Sequence, residues 1–415
     1  MADIEVHIDF ATGLKRVGTL RRPARRGGEA ISFEYHPPWL EDRACFSLEP
    51  ALALGRGAFV PAGSLPVLGS IGDSAPDTWG RRLMQRAERR RAEREGRAIR
   101  TLQELDYLLG VSDVSRLGAL RFRHVGEEVF QSTTSMSVPS LLELGRLLQS
   151  TERILRDEET DEDLQLIFAP GSSLGGARPK ASVVDNHHHL SIAKFPKETD
   201  EYSIELWESI ALTLARRAAI RTPDHELLRV AGRPVMLSRR FDRAANTRVP
   251  FLSGLSMLSL KDGERGSYPE LVDALTRYGS RAREDARELY RRMVFNILIS
   301  NVDDHLRNHG FLWSGPEGWT LSPVYDLNPT PTDVRPRILT TNITLDEATC
   351  DVDLALSSAE YFSLGPKDAK AIVKEVALVT SAWREVAAAA GATHGEVNRI
   401  ASAFEHSDLT CALSL

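Results

Sequence analysis

Asp303, His305 and Asn308 stand in a D-x-H-x-x-N arrangement within NVDDHLRNHGF, directly after an apolar segment, and Asp326 follows in SPVYDLNP. Carboxylates and a carboxamide in this order suit phosphoryl transfer. That reaction needs little covalent help from a protein; it needs a hydroxyl held in line by a carboxylate and metal ions that neutralise phosphate oxygens. Asp303 would orient the attacking hydroxyl and accept its proton, while Asn308 and Asp326 offer the hard oxygen ligands that Mg2+ prefers. Taken one at a time, Asp303 and Asp304 are plain helix-end turn formers and Asn308 a loop residue. The joint pattern is what points to chemistry.

Two further groups lie upstream. PGSSLGGARPKA (Pro170–Ala181) is rich in glycine, which lets backbone approach phosphates closely and present N–H groups as an anion nest. It lacks the G-x-x-x-x-G-K-[ST] pattern of a P-loop, and many such stretches are ordinary turns. Lys194 lies in LSIAKFP, where Leu190, Ile192 and Lys194 share one face of a strand. An ammonium among apolar neighbours is costly unless it meets an anion, and nucleotide phosphates would serve, with Glu205 or Glu208 from the next helix holding it in place. The plainer alternative is an edge-strand lysine reaching to water.

These groups need elements to position them. Ile4–Ile8, Arg16–Leu20 and Ala30–Tyr35 read as short strands, and residues from about Asp77 to Arg97 as a helix. Thr101–Glu104 and Ser140–Glu143 have capping-box spacing and each should open a helix, with a strand over Leu117–Arg123 between them. From Gly171 to Phe195 the pattern is glycine-rich turn, strand, polar turn, strand. Glu205–Arg217 reads as a helix and Arg233–Phe241 as a strand. Further on, Arg281–Ile299, Asp368–Ala390 and Glu396–Glu405, the last behind a box at Thr393–Glu396, read as helices. A β-rich half carrying a glycine loop, followed by a helical half, is the plan of a bilobal kinase, although many α+β proteins share it.

Composition narrows the classes. The chain has 415 residues, 42% hydrophobic and 27% charged, with a net charge of −6 that gives no global attraction to nucleic acid or anionic membrane. Its three cysteines, Cys45, Cys350 and Cys411, are far apart, which excludes a disulfide framework or thiolate zinc site and fits a reducing cytosol. MADIEVHIDF does not read as a signal peptide, so a cytoplasmic location is expected. His187–His189, after Asp185–Asn186, reads as a solvated hairpin turn more simply than as a metal site. Nine arginines against three glutamates in Arg81–Arg100 read as a solvated helix face, with DNA phosphates or an acidic partner as the alternative.

With these clusters assembled, the chain resembles the HipA family of toxin kinases over nearly its whole length. PDTWGRR (Pro76–Arg82) and SRLGALRF (Ser115–Phe122) resemble the family's N-terminal subdomain, SSLGGARPK its phosphate loop, IAKFP its nucleotide lysine and RRFDR (Arg239–Arg243) its segment after the hinge. Asp303, His305 and Asn308 match its catalytic loop, and YDLNP (Tyr325–Pro329) its metal-binding segment. The resemblance implies an α+β, bilobal protein-kinase-like fold: an N-terminal subdomain over 1–125, a nucleotide-binding lobe over 126–245 and a helical lobe over 246–415. It implies ATP and Mg2+ as cofactors, with Asp303 and His305 catalytic and Asn308 and Asp326 on the metal. Ser173, Leu174, Gly175, Gly176, Ala177, Lys180, Lys194, Arg239, Arg240, Phe241 and Tyr325 would bind nucleotide, the backbone of Arg239–Phe241 taking adenine. Ser173, or its neighbour Ser172, would be an autophosphorylation site that silences the enzyme. The implied partners are a HipB-like helix-turn-helix antitoxin, operator DNA mainly through that antitoxin, and a protein substrate such as an aminoacyl-tRNA synthetase, glutamyl-tRNA synthetase foremost; no membrane is implied. A small-molecule or lipid kinase, or a catalytically weak co-repressor, remains the competing reading.

Overall fold

The computed structural model describes residues 3–10, 13–22, 31–62, 65–132, 138–168, 176–244 and 247–415. The β-rich N-terminal part and mainly helical C-terminal part expected from the sequence are both present. The chain forms two compact units, Met1–Glu198 with Leu228–Leu252, and Thr199–Leu227 with Ser253–Leu415.

The first unit holds two sheets. A five-stranded antiparallel sheet runs in the order Ala58–Phe59, Ser32–Tyr35, Gly13–Arg21, Ile4–Phe10, Leu120–His124. Ile4, Val6 and Ile8 alternate onto its apolar side. Gly18 is needed there because a Cβ would overlap the Phe33 ring. The second sheet is ordered Lys180–Val184, Leu190–Lys194, Arg233–Arg239, His225–Val230. Its Ala181, Val183, Ala193, Val235 and Leu237 pack on Trp79, Leu83, Leu144, Leu147, Leu148, Leu164 and Ile167 from helices Thr78–Arg94, Leu144–Leu155 and Asp161–Phe168. Each buried leucine contributes about 2 kcal/mol of transfer free energy, so this cluster fixes which sheet face is closed by helices. Lys180, Ser182, Ile192 and Lys194 lie on the opposite face by the register Lys180↔Lys194, Ser182↔Ile192.

Several expectations need correction. The helix after Arg100 begins at Glu104, not behind Thr101; Gln103 is its cap, its N–H donating to Asp106 Oδ2 at 2.8 Å. The strand expected from Leu117 starts at Leu120, after Gly118 takes φ +74° against Phe251. The long helix 368–390 is two, Pro366–Ser381 and Trp383–Ala389. Trp383 stacks on Phe404 at 4.7 Å and meets Trp207 at 6.1 Å, contacts that favour a break at Ala382 over one straight rod. The arginine-rich helix is not a plain solvated face. Arg81 makes a two-pronged pair with Glu104 at 2.8 and 2.6 Å, Arg86 pairs with Glu159 at 2.9 Å, and Arg94 with Asp161 at 3.2 Å. The histidine triplet is a turn, its Asp185 Oδ1 accepting the amides of His187 and His189 at 2.8 Å.

In the second unit the helix Ala282–Leu298 is the axis, burying Leu289, Tyr290, Met293, Val294, Phe295, Ile297 and Leu298. Helices Tyr268–Tyr278 and Pro366–Ser381 pack on it, and a capping box between Ser267 and Glu270 starts the former. Among the described residues no helix is long and apolar enough to cross a membrane.

Candidate active site

The loop that carries Asp303 leaves the buried end of Ala282–Leu298 and is locked from below. Asn301 Nδ2 donates to Asn296 Oδ1 at 3.0 Å, Asn296 Nδ2 to the Tyr268 hydroxyl at 3.0 Å, and that hydroxyl to Asp304 Oδ2. His309 Nε2 lies 2.9 Å from Asp304 Oδ1, and Thr341 donates to the Asp304 carbonyl through its amide at 3.1 Å and its hydroxyl at 2.6 Å. All of these residues are buried. Burial, reinforced by the Asp304 charge, pushes the Tyr268 phenol well above its ordinary pKa, so it remains a donor. A buried network of this kind, in which Tyr268 and Thr341 donate to Asp304, specifies one loop conformation. Gly254 admits the loop's closest approach: a Cβ there would lie 2.8 Å from the Leu306 carbonyl.

The two adjacent aspartates therefore have opposite fates. Asp304 is 2% exposed and committed to the network, whereas the Asp303 side chain is 56% exposed. The Asp303 carbonyl accepts from the His305 amide at 2.9 Å and from Asn308 Nδ2 at 3.1 Å. A carbonyl can only accept, so the Asn308 amide group must face it, and Oδ1 is the atom left for a cation. His305 is half-buried, and its Nδ1 has no hydrogen-bond partner among the described residues.

Asp326 returns to this loop through a hairpin. Strands Gly310–Trp313 and Trp319–Leu321 pair Phe311↔Leu321 and Trp313↔Trp319, closed by a turn in which Ser314 N donates to Gly318 O at 3.0 Å. Ser322 N donates to Gly310 O at 2.8 Å, so the chain leaves the hairpin beside where it entered. Three bonds then stitch the next stretch back to the loop: Tyr325 Oη to Arg307 O at 2.6 Å, Asn328 N to Asn301 Oδ1 at 3.2 Å, and Thr330 N to Ser300 O at 3.2 Å. Asp326 itself has φ +55°, a left-handed conformation that costs about 1 kcal/mol and recurs at ligand sites. The Asn308 amide oxygen and the Asp326 carboxylate, carried on these two stitched stretches, are both oxygen donors, the type of ligand a hard divalent cation takes.

The remaining predicted residues lie in the first unit. Ser172, Ser173, Leu174 and Gly175 fall outside the described residues. Gly176 has φ +106°, and its carbonyl accepts from Trp79 N at 3.4 Å. Lys180 is 3% exposed, its ammonium 3.0 Å from Asp77 Oδ2, while its carbonyl accepts from Trp79 Nε1 at 3.2 Å. Asp77 also caps the helix Thr78–Arg94 by accepting from Gly80 N at 2.8 Å. Lys194 is half-buried directly across from Lys180. Arg240 N donates to Leu190 O at 3.0 Å, and the Arg240 guanidinium is buried on Asp242, Ser115 O and Arg116 O. Asp242 is a structural hub: burial pushes its carboxyl up, yet Arg240, Arg243 and the Gly118 amide hold it down at about 2. The RRFDR stretch thus braces SRLG from inside the unit, a role its sequence did not disclose. Asp77, Tyr268, Asp304 and Arg335 also escaped the sequence reading, each serving a partner distant along the chain.

Known proteins share this organisation. The sequence profile of the family described as HipA-like C-terminal domain matches residues 172–383, just over half of the chain. A putative kinase of Haemophilus influenzae is 24% identical over 179 residues, covering 38% of this chain and 52% of the relative. A putative kinase of Sinorhizobium fredii is 29% identical over 152 residues, covering 33% and 36%. The chain thus spans about half, or less, of the length of these curated relatives. Among solved structures, HipA of Shewanella oneidensis, in a toxin–antitoxin complex with HipB and operator DNA, superposes with a TM-score of 0.69 at 16% identity, over 99% of this chain and 96% of that one. The likeness is one of fold.

Proposed function

Because the chain belongs to the HipA family, we propose that it is an ATP- and Mg2+-dependent kinase that phosphorylates serine or threonine hydroxyls of a protein. The observation that carries the reading is the divergence of Asp303 and Asp304: one carboxylate is locked in the core so that its neighbour stands exposed at a fixed place. Asp303 orients the acceptor hydroxyl and takes its proton. Asn308, through Oδ1, and Asp326 hold the metal, which when bound neutralises charge on the phosphate oxygens. Lys194 holds nucleotide phosphates, and the backbone of Arg239–Phe241 holds adenine. Lys180, being ion-paired with Asp77, orders the strand entry beside the glycine-rich segment rather than meeting phosphate alone.

The partners of this reading are a HipB-like helix-turn-helix antitoxin, operator DNA through it, and an aminoacyl-tRNA synthetase, glutamyl-tRNA synthetase foremost, as acceptor; the HipB and operator DNA bound to the Shewanella HipA support the first two. The test is transfer of labelled γ-phosphate into a cell extract by the wild-type chain and by Asp303→Asn. Label entering one or a few proteins with the wild type alone supports the reading. Equal labelling by both removes Asp303 from its role, and label found only in small molecules or lipid makes this another class of kinase.

A further inference from the structure

The carboxylate of Asp303 already has a partner. Arg335 Nη1 lies 3.2 Å from Asp303 Oδ1, and both side chains are more than half exposed. Arg335 is carried by a stretch that is fastened on either side of it. Before it, Thr332 N donates to Ser402 Oγ at 3.1 Å, and Asp333 pairs at 2.9 Å with Arg399, which also holds Glu201 at 2.9 Å. After it, Arg337 donates through Nε to Ser300 Oγ at 3.0 Å and through Nη2 to Ile297 O at 2.9 Å, and pairs with Asp408. The amides of Val334 and Arg335 both turn back to Pro331 O, at 3.0 and 3.3 Å. The backbone is pinned while the guanidinium stands over the reactive carboxylate.

We propose that Arg335 is a removable cap on Asp303, displaced by acceptors that carry an acidic group beside the hydroxyl to be phosphorylated. The proposal rests on the kinase reading above and adds how that site selects its acceptor. While the guanidinium is in place it occupies Oδ1, one of the two carboxylate oxygens that can take the acceptor hydroxyl, and it sets its positive charge against the proton acceptor. An exposed ion pair shifts an equilibrium by no more than about fivefold, so the cap is weak enough to leave. A released guanidinium gains most by a new carboxylate, which it can grip with two N–H groups. Water carries no carboxylate, so the cap also disfavours futile hydrolysis of ATP. In productive transfer the phosphoryl group leaves the ADP oxygen for the acceptor oxygen, the acceptor's proton passes to Asp303, and Arg335 keeps its own protons and charge. Val334 and Ile338, exposed at 49% and 44%, flank Arg335 and offer apolar contact to the acceptor chain.

The experiment compares the full chain with Arg335→Ala and Arg335→Lys. Acceptor-independent ATP hydrolysis is measured, together with kcat and KM for two serine peptide pools, acidic or neutral around the serine. Arg335→Ala is expected to raise hydrolysis by roughly two- to fivefold and to erase a wild-type preference of similar size for the acidic pool, through KM. Arg335→Lys keeps the charge and should retain part of that preference. Hydrolysis unchanged in Arg335→Ala, or an acidic preference absent in the wild type or preserved in Arg335→Ala, overturns the proposal. A wild-type chain that consumes no ATP and labels nothing overturns the kinase reading itself, and the cap with it.

Discussion

Lys180 and Asp77, 103 residues apart in sequence, meet at 3.0 Å with both side chains more than nine-tenths buried. Removing one member of a buried pair takes from the other the charge it faces. Asp77→Ala, which also removes a helix cap, should therefore cost about 3–5 kcal/mol. Adding Lys180→Met should restore part of that loss, because the buried ammonium that faced Asp77 is gone as well. Urea denaturation of the two single variants and the double variant measures the coupling; strictly additive losses would show that the pair is not an energetic unit.

Asp303→Asn is expected to keep Mg-ATP affinity within about twofold while abolishing transfer, since it removes the proton acceptor and little else. Asp326→Ala should weaken Mg-ATP binding by about tenfold or more, and its deficit should vanish when Mg2+ is omitted. Titration calorimetry with and without Mg2+ separates the two. Equal loss of affinity in both variants would contradict this division of roles.

Ser173 lies outside the described residues, and its expected behaviour follows from charge. If this segment meets ATP as the kinase reading proposes, a phosphoserine would add nearly two negative charges close to the ATP phosphates, and like charges repel at close range. Ser173→Asp should bind ATP about tenfold more weakly than wild type, and Ser173→Ala should bind it normally. Mass spectrometry after incubation with Mg-ATP locates the modification; phosphate found only outside Ser172–Ser173 ends the idea of a switch there.

His406 predicts an acid limit to stability. Its Nε2 lies 3.2 Å from Leu298 O and its Nδ1 3.4 Å from Leu409 N. One partner must accept and the other donate, so the ring is neutral with its proton on Nε2. Burial, helped by Arg337, pushes its pKa from the ordinary 6.5 down to about 4. Between those values the unfolded ring binds a proton that the folded ring refuses. Stability is thus complete above pH 6.5 and falls as pH drops towards 4, by about 3 kcal/mol at most. His406→Asn keeps a capping side chain without the titration and should flatten melting temperature against pH in that range. An unaltered slope would assign the acid loss to other groups.

Local signals carried much of the architecture. The apolar periodicity of 281–299 marks the helix found at Ala282–Leu298, and the box at Thr393–Glu396 marks the start of His394–Phe404. Asp303, Asn308 and Asp326 could be grouped as candidates from the sequence because hairpin and loop lie within one short stretch. What failed to show was whatever depends on partners far along the chain. The sequence points to Thr101 as the cap; the Arg81–Glu104 pair, from another helix, pins a later start that Gln103 caps. Asp161–Phe168 is too short to display a period, and its burial comes from helices elsewhere. The arginines of Thr78–Arg94 look solvated until Glu159 and Asp161 arrive from beyond residue 150. Neighbouring Asp303 and Asp304 are the same residue type, and partners far along the chain, Tyr268 and Thr341 on Asp304 and Arg335 on Asp303, distinguish them.

The hairpin between Gly310 and Leu321 also decides where the gene can tolerate a change of length. Side chains alternate along its strands, so one extra residue in Gly310–Trp313 or Trp319–Leu321 would turn every later side chain of that strand to the wrong face. Gly318 is fixed as well, since a Cβ there would strike the Tyr278 carbonyl. Pro316 and Glu317, exposed at the tip, carry none of these constraints. Insertions in descendants of this gene, or an epitope spliced in by hand, belong at that tip, where the polypeptide can grow without disturbing the frame that returns Asp326 to its loop.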